Sequence, residues 1–170
     1  LPMFSLAGGS DSKPVDGQAA IEAALTLLYD ALAGGHLIHD SGYLESGLTG
    51  SLAQLVICDE IIAWVRASIG PVEISDETLA LDLIDALGPD GSFLEADHTI
   101  RHYRERWYPD LIDRRSHSAW AARGSLDLAE RAAARVDQIL ASHQPEPLDP
   151  AVAAAIHAIV ERAAGALPAA

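Results

Sequence analysis

The sequence has one cysteine, one methionine and two phenylalanines, and aromatic residues of all kinds make up only 5% of it. A single cysteine, Cys58, excludes an intrachain disulfide framework and any multi-cysteine zinc site, and it suits a reducing cytosol. Cations are scarce as well: 11 Lys and Arg stand against 25 Asp and Glu, a formal net charge of −14. Nucleic acid and anionic membrane surfaces are both bound through Lys and Arg, so neither is an expected partner. No apolar run approaches the ~20 residues of a membrane span. The opening residues also lack the basic start of a secretory signal, so the expected location is cytoplasmic. What is present, 49% hydrophobic and 21% charged residues, is the composition of a packed globule. The 170 residues fit one domain, or a domain and an appendage.

Along the chain, strand and helix patterns alternate first and only helix patterns follow. Leu1 to Leu6 is a short apolar segment, and Ala7 to Asp16 is a loop of Gly, Ser and Asp. Asp16 is the expected N-cap of a helix with Ile21, Leu25, Leu28 and Leu32 at helical spacing, ended by Gly34 and Gly35. His36 to His39 is a second short segment, followed by a polar loop from Asp40 to Gly50. Ser51 and Gln54 read as a capping box for a helix carrying Leu55, Val56, Ile62, Val65 and Ile69. From Pro71 onward, Ser75 caps an expected helix through Leu87, stopped by Gly88 and Pro89. A short helix is expected around Arg115–Arg123, and Ser125 is the expected cap of a longer one through Leu140. Asp149 and Pro150 open the last, with Val152, Ile156, Ile159 and Val160.

Two βα units with polar loops after their strands match part of a (β/α)₈ barrel, which needs roughly 250 residues and eight strands to close. Two strands leave bare edges on both sides. The expected fold is therefore α/β: a partial barrel over residues 1–70, supplying its last two βα units, and an all-helical extension over residues 71–170. Such a unit belongs to a longer chain or assembles with copies of itself.

The loop after the first strand holds Gly8, Gly9, Ser10, Asp11, Ser12, Lys13 and Asp16, followed by Gln18 and Glu22. In a barrel, this loop lies at the carboxyl end of the strands, where active sites are built. Taken alone, it also reads as a capped turn with solvated charges. The second loop holds Asp40, Ser41, Tyr43 and Glu45. An aromatic ring beside a carboxylate suits a cationic ligand, because a ring face attracts a quaternary ammonium. His36, His39 and Asp40 invite a metal reading, but residues three apart on a strand point to opposite faces, so no metal is expected there. The other histidines read as surface or packing residues. Cys58, beside Asp59 and Glu60, reads as a small core residue, since neighbouring carboxylates disfavour a thiolate. Arginines and aromatics alternate from His98 to Arg115, and the arginines are expected to anchor a wrapping segment by pairing with the surplus carboxylates.

Four runs in order, LAGGSDSKPVDGQAAIEA, LAGGHLIHDSGYLESGLTGSLAQLVICDEI, ETLALDLIDALGPDGSFL and DLIDRRSHSAWAARGSLDLAERA, resemble the C-terminal part of the trimethylamine methyltransferase family. The resemblance implies a (β/α)₈ enzyme that moves a methyl group from a methylated amine to the Co(I) corrinoid carried by a small partner protein. It implies no tightly held corrinoid in this chain, since no motif for one is present. Trimethylamine-specific members carry pyrrolysine in the loop that aligns with Gly8, Gly9 and Ser10. This sequence has ordinary glycine there, so it resembles the non-pyrrolysine branch, whose substrates are quaternary amines such as glycine betaine. A quaternary nitrogen is already cationic, so the protein has mainly to hold donor and acceptor in line. On that reading Asp11 and Glu45 balance the cation, Tyr43 belongs to an aromatic cage, and Lys13 meets a substrate carboxylate. Gly8, Gly9, Ser10, Asp16 and Gln18 shape the substrate loop. The expected partners are the cognate corrinoid protein, a small methylated amine and a second copy of the chain. The other reading is a non-catalytic remnant or assembly module that oligomerises through its exposed barrel faces.

Overall fold

The structure is a computed structural model and describes residues 1–166. Strand β1 (Phe4–Leu6) leads to helix α1 (Gly17–Leu32), and strand β2 (Leu37–His39) leads to helix α2 (Leu52–Ile69). The two strands pair in parallel, with Phe4 opposite Leu37 and Leu6 opposite His39. They are short because Gly8, two residues beyond β1, and Asp40, directly after β2, take positive φ of +88° and +78°. The polar stretch after β2 is more ordered than a loop. It holds a small antiparallel hairpin, β3 (Tyr43–Leu44) against β4 (Thr49–Gly50), bridged by a 3₁₀ turn over Glu45–Gly47.

Local capping chemistry explains where the helices begin. Asp16 accepts a hydrogen bond from the Ala19 amide, and Ser51 accepts one from the Gln54 amide. The Gln54 side chain does not complete the expected reciprocal box. It turns inward, fully buried, and donates to the Ala19 carbonyl at 3.2 Å, tying α2 to the first turn of α1. Ala19, Ala23 and Cys58 are also fully buried, and their small side chains let α1 and α2 approach closely. Leu27, Ile57 and Ile61 complete this core, joined by Leu111 and Ala132 from later in the chain.

The change to helix alone comes after α2. The single helix expected from Ser75 to Leu87 is two, α3 (Asp76–Leu79) and α4 (Leu81–Leu87), because Ala80 between them has left-handed backbone with φ of +48°. Helices α5 (Asp97–His102), α6 (His117–Ala121) and α7 (Leu128–Ser142) follow. Ser125 does not cap α7: it sits at φ +56°, and Asp127 caps the helix instead, exchanging hydrogen bonds of 2.8 Å with Glu130. Residues 1–138 form one compact unit and residues from 139 a second. The second contains α8 (Pro150–Ala166), capped as expected by Asp149, which accepts from the Ala151 amide. Among the described residues, no helix is long and apolar enough to cross a membrane.

Candidate functional site

The two loops that follow β1 and β2 are joined to each other at the carboxyl ends of the strands. The Ser10 amide donates to the Tyr43 carbonyl at 3.0 Å, and the Glu45 amide donates to the Ser12 carbonyl at 3.0 Å. The Ser46 amide donates to the Ser10 carbonyl, and its hydroxyl donates to Asp11 Oδ1 at 2.6 Å. These bonds make one surface of the two loops, with backbone rather than mobile side chains setting its shape.

Glu22, from the second turn of α1, organises the first loop from beneath. Its Oε2 accepts from Ser10 Oγ at 2.6 Å and from the Asp11 amide at 2.8 Å, and its Oε1 accepts from Gln18 Nε2 at 2.9 Å. The Ser10 hydroxyl above all, then Gln18 and the Asp11 amide, hold the Glu22 carboxyl below the usual range, so it stays ionised. The sequence placed Glu22 after the loop without giving it a task. Its signal was the pair Gln18 and Glu22 at helical spacing beneath a Ser-Asp turn. Asp16 is spent locally: it caps α1 and accepts from Ser12 Oγ at 3.0 Å, and the Ala19 amide leads in lowering its pKa.

A cleft of about 290 Å³ opens between the loops, lined by Gly9, Ser10, Asp11, Glu22, Asp40 and Tyr43 among others. Three carboxylates therefore meet one tyrosine, and no Lys or Arg lines the cleft. The candidate residues divide accordingly. Gly9, Ser10, Asp11 and Tyr43 come together at the cleft. Lys13 is turned back on its own loop, donating to the Asp11 carbonyl at 2.9 Å. Glu45 does not line the cleft, and its carboxylate accepts from Thr49 Oγ1 within the hairpin. Asp16 and Gln18 support the loop from the start of α1. Gly8 lies behind it, where a Cβ would stand 2.7 Å from Ser41 Oγ and 3.1 Å from its Cα. With φ at +88° as well, the position is closed to a larger residue.

Three non-glycine residues of the second loop, Asp40, Glu45 and Ser46, have left-handed backbone with φ between +53° and +78°. Each such residue costs on the order of 1–2 kcal/mol, and strain of this kind gathers where the surroundings fix a functional loop.

The remaining candidates fall elsewhere. His36 Nδ1 accepts from the Met3 amide, while His39 stacks on Phe4 and lies 2.6 Å from Asp40, so the two histidines do not converge. Cys58 is buried, donates to the Gly8 carbonyl at 3.3 Å, and has its pKa raised by burial, so it is a packing residue against the site's first loop. Arg101 and Arg115 pair with carboxylates, but Arg104, Arg106 and Arg114 lie over Tyr and Trp rings at 5.2 to 5.9 Å. Ring faces and carboxylates therefore share these arginines. Two histidines read from sequence as surface or packing residues, His98 and His102, instead converge with Glu77.

Comparison with known proteins gives one consistent result. The family described as Trimethylamine methyltransferase (MTTB) matches residues 1–168. A trimethylamine methyltransferase of Desulfitobacterium hafniense is 38% identical over 161 residues, which is 95% of this chain and 32% of that protein. One from Methanosarcina mazei is 40% identical over 163 residues, covering 96% of this chain and 33% of the relative. A glycine betaine methyltransferase of Desulfitobacterium hafniense is 33% identical over 162 residues, covering 94% and 34%. The chain thus spans about a third of the length of the curated relatives it matches.

Proposed function

The chain belongs to the trimethylamine methyltransferase family, and from that premise we propose that it supplies two βα units and the helical extension of a corrinoid-dependent methyltransferase. On this reading β1–α1 and β2–α2 are the last two units of a (β/α)₈ barrel, and the joined loops form one wall of its mouth. The methyl donor is a quaternary amine of the glycine betaine kind. The acceptor is a Co(I) corrinoid carried by a cytoplasmic partner protein.

The observation that carries this is the cleft between the loops, with Asp11, Glu22 and Asp40 beside Tyr43 and no cation among its lining residues. Carboxylates and a ring are the groups that hold a quaternary ammonium. Glu22 is kept anionic by its three donors, so it supplies charge at any neutral pH. A cleft of about 290 Å³ suits a small amine. Of the roles expected from sequence, the cation-balancing one passes from Glu45 to Glu22 and Asp40. Lys13, held on the Asp11 carbonyl, is free to meet a substrate carboxylate only if it leaves that bond.

Identity alone does not choose the donor, at 33% to the betaine enzyme against 38% and 40% to trimethylamine enzymes. The first loop favours the quaternary amine. It holds ordinary residues where the trimethylamine branch aligns pyrrolysine, and Gly8 is packed too tightly for any side chain. The test is the intact mass of the native polypeptide followed by a methyl-transfer assay with glycine betaine and trimethylamine. A chain long enough for a barrel, active on the first, is expected.

A second reading, a non-catalytic module that pairs with a copy of itself, is favoured by one observation. Strands β1 and β2 leave Phe4 at 64% and Leu37 at 59% exposure. A native chain near 17.9 kDa with no methyl transfer would select it.

A further inference from the structure

The structure brings Glu77 of α3 together with His98 and His102 of α5, one potential ligand atom from each lying within 4.8 Å of the others. We propose that this triad is a binding site for a divalent transition-metal ion, Zn²⁺ by its chemistry, which pins α3 to α5.

The donor set is the first argument. His98 and His102 are four residues apart on one helix, so both rings stand on the same face, with centroids 4.5 Å apart. A carboxylate from a separate helix completes a His₂–carboxylate set, a combination that zinc takes readily. Four-coordinate zinc then keeps one position for water, and the site has room for it. Glu77, His98 and Arg101 line an open cavity of about 880 Å³.

The second argument is independent of the ligand count. The His102 ring is held at both nitrogens: Nε2 lies 2.9 Å from Glu77 Oε1, and Nδ1 lies 2.8 Å from Glu105 Oε2. An outer carboxylate on the far nitrogen of a histidine is the arrangement that orients metal-bound imidazoles and raises their basicity. The Glu105 side chain is two-thirds exposed, so burial does not force this contact. The site is reachable from solvent, with the Glu77 and His102 side chains 49% and 29% exposed.

Two contacts fill this place in the chain as it stands: Arg101 lies 2.8 Å from Glu77 Oε1, and His102 Nε2 lies 2.9 Å from the same oxygen. A metal ion bound by Glu77 and His102 would replace the second contact and displace the Arg101 guanidinium from the first. The site lies far along the chain from the loops of the cleft, so it does not depend on the methyl-transfer reading.

The test is titration of the purified chain with Zn²⁺ against a chromophoric chelator, and with Co²⁺ for its visible spectrum. One Zn²⁺ per chain is expected, with a tetrahedral Co²⁺ absorption. His98→Ala and His102→Ala should each weaken binding by about 100-fold or more, and Glu105→Gln by roughly 10–100-fold, the usual size of an outer-shell loss. Arg101→Gln keeps the helix and removes a competing cation, so it should tighten binding severalfold. Less than one Zn²⁺ per chain overturns the proposal. So does binding that survives the double histidine substitution with helicity intact, or an Arg101→Gln variant that binds no more tightly.

Discussion

Gln54 serves two structures at once, its amide donating to the Ser51 cap and its buried side chain to the Ala19 carbonyl on α1. Among the described residues its Oε1 has no hydrogen-bond partner, so the amide holds the helices together at some cost in desolvation. Gln54→Ala should lower stability in urea unfolding by about 2–3 kcal/mol, while Gln54→Met, which fills the same space, should lose less than about 1. Gly42 and Gly47 separate backbone strain from crowding. Both have φ of +88°, but a Cβ at Gly42 meets Leu55 Cβ at 2.8 Å, whereas one at Gly47 meets nothing within 4 Å. Alanine at Gly47 should therefore cost about 1 kcal/mol and at Gly42 about 3. Asp16 and Glu22, with Glu77, contribute to the response to acid. All have native pKa values below the ordinary 3.8 of Asp and 4.5 of Glu, so the unfolded chain takes up protons first. Their stabilisation is complete above about pH 4.5 and is lost as pH falls through the lowered native values. Urea midpoints should thus drop below pH 4.5, and Glu22→Gln should flatten that drop.

Helix starts were legible at Asp16, Ser51, Ser75 and Asp149, where a side chain caps its own helix. The signal is local and the sequence contains all of it. The break at Ala80 was not legible, because apolar spacing continues through Leu79, Leu83 and Leu87 while the backbone turns left-handed. At α7, two good capping residues stood two apart, and Asp127 won because Glu130 answers it three residues on. The hairpin Tyr43–Gly50 was hidden for another reason: its strands are two residues each, too short for any alternation to show. Between elements, Glu60 on α2 accepts from three successive amides, Asp110, Leu111 and Ile112. This carboxylate holds the turn that delivers Leu111 to the core. Glu60→Ala should cost about 1–3 kcal/mol, and it should speed hydrogen exchange at those amides before it touches α1.

At the scale of the whole molecule, the two parallel strands expose Phe4, Leu6 and Leu37 along a sheet with nothing beside it among the described residues. Unpaired strands with apolar side chains seek further strands. The purified chain should therefore sediment above the 17.9 kDa of one copy, and Phe4→Lys should restore that mass. The order β1, α1, β2, α2 was readable from period and punctuation, as were the loops after the two strands. Which loop residues face one another was not, because Glu22, Asp40 and Tyr43 meet only once the strands are paired and α1 has turned. Glu77 and His102, 25 residues apart, likewise meet only through the packing of α3 beside α5. The account turns on the cleft of carboxylates and Tyr43 being the cation side of a methyl-transfer site. The most direct measurement is the initial rate of methyl transfer from glycine betaine to cob(I)alamin by the native polypeptide and its Asp11→Asn variant, across amine concentrations. Turnover is expected, with KM raised by about tenfold in the variant, the worth of one charged contact of ~1.4 kcal/mol. No transfer from any methylated amine, or a KM that Asp11→Asn leaves unmoved, contradicts it.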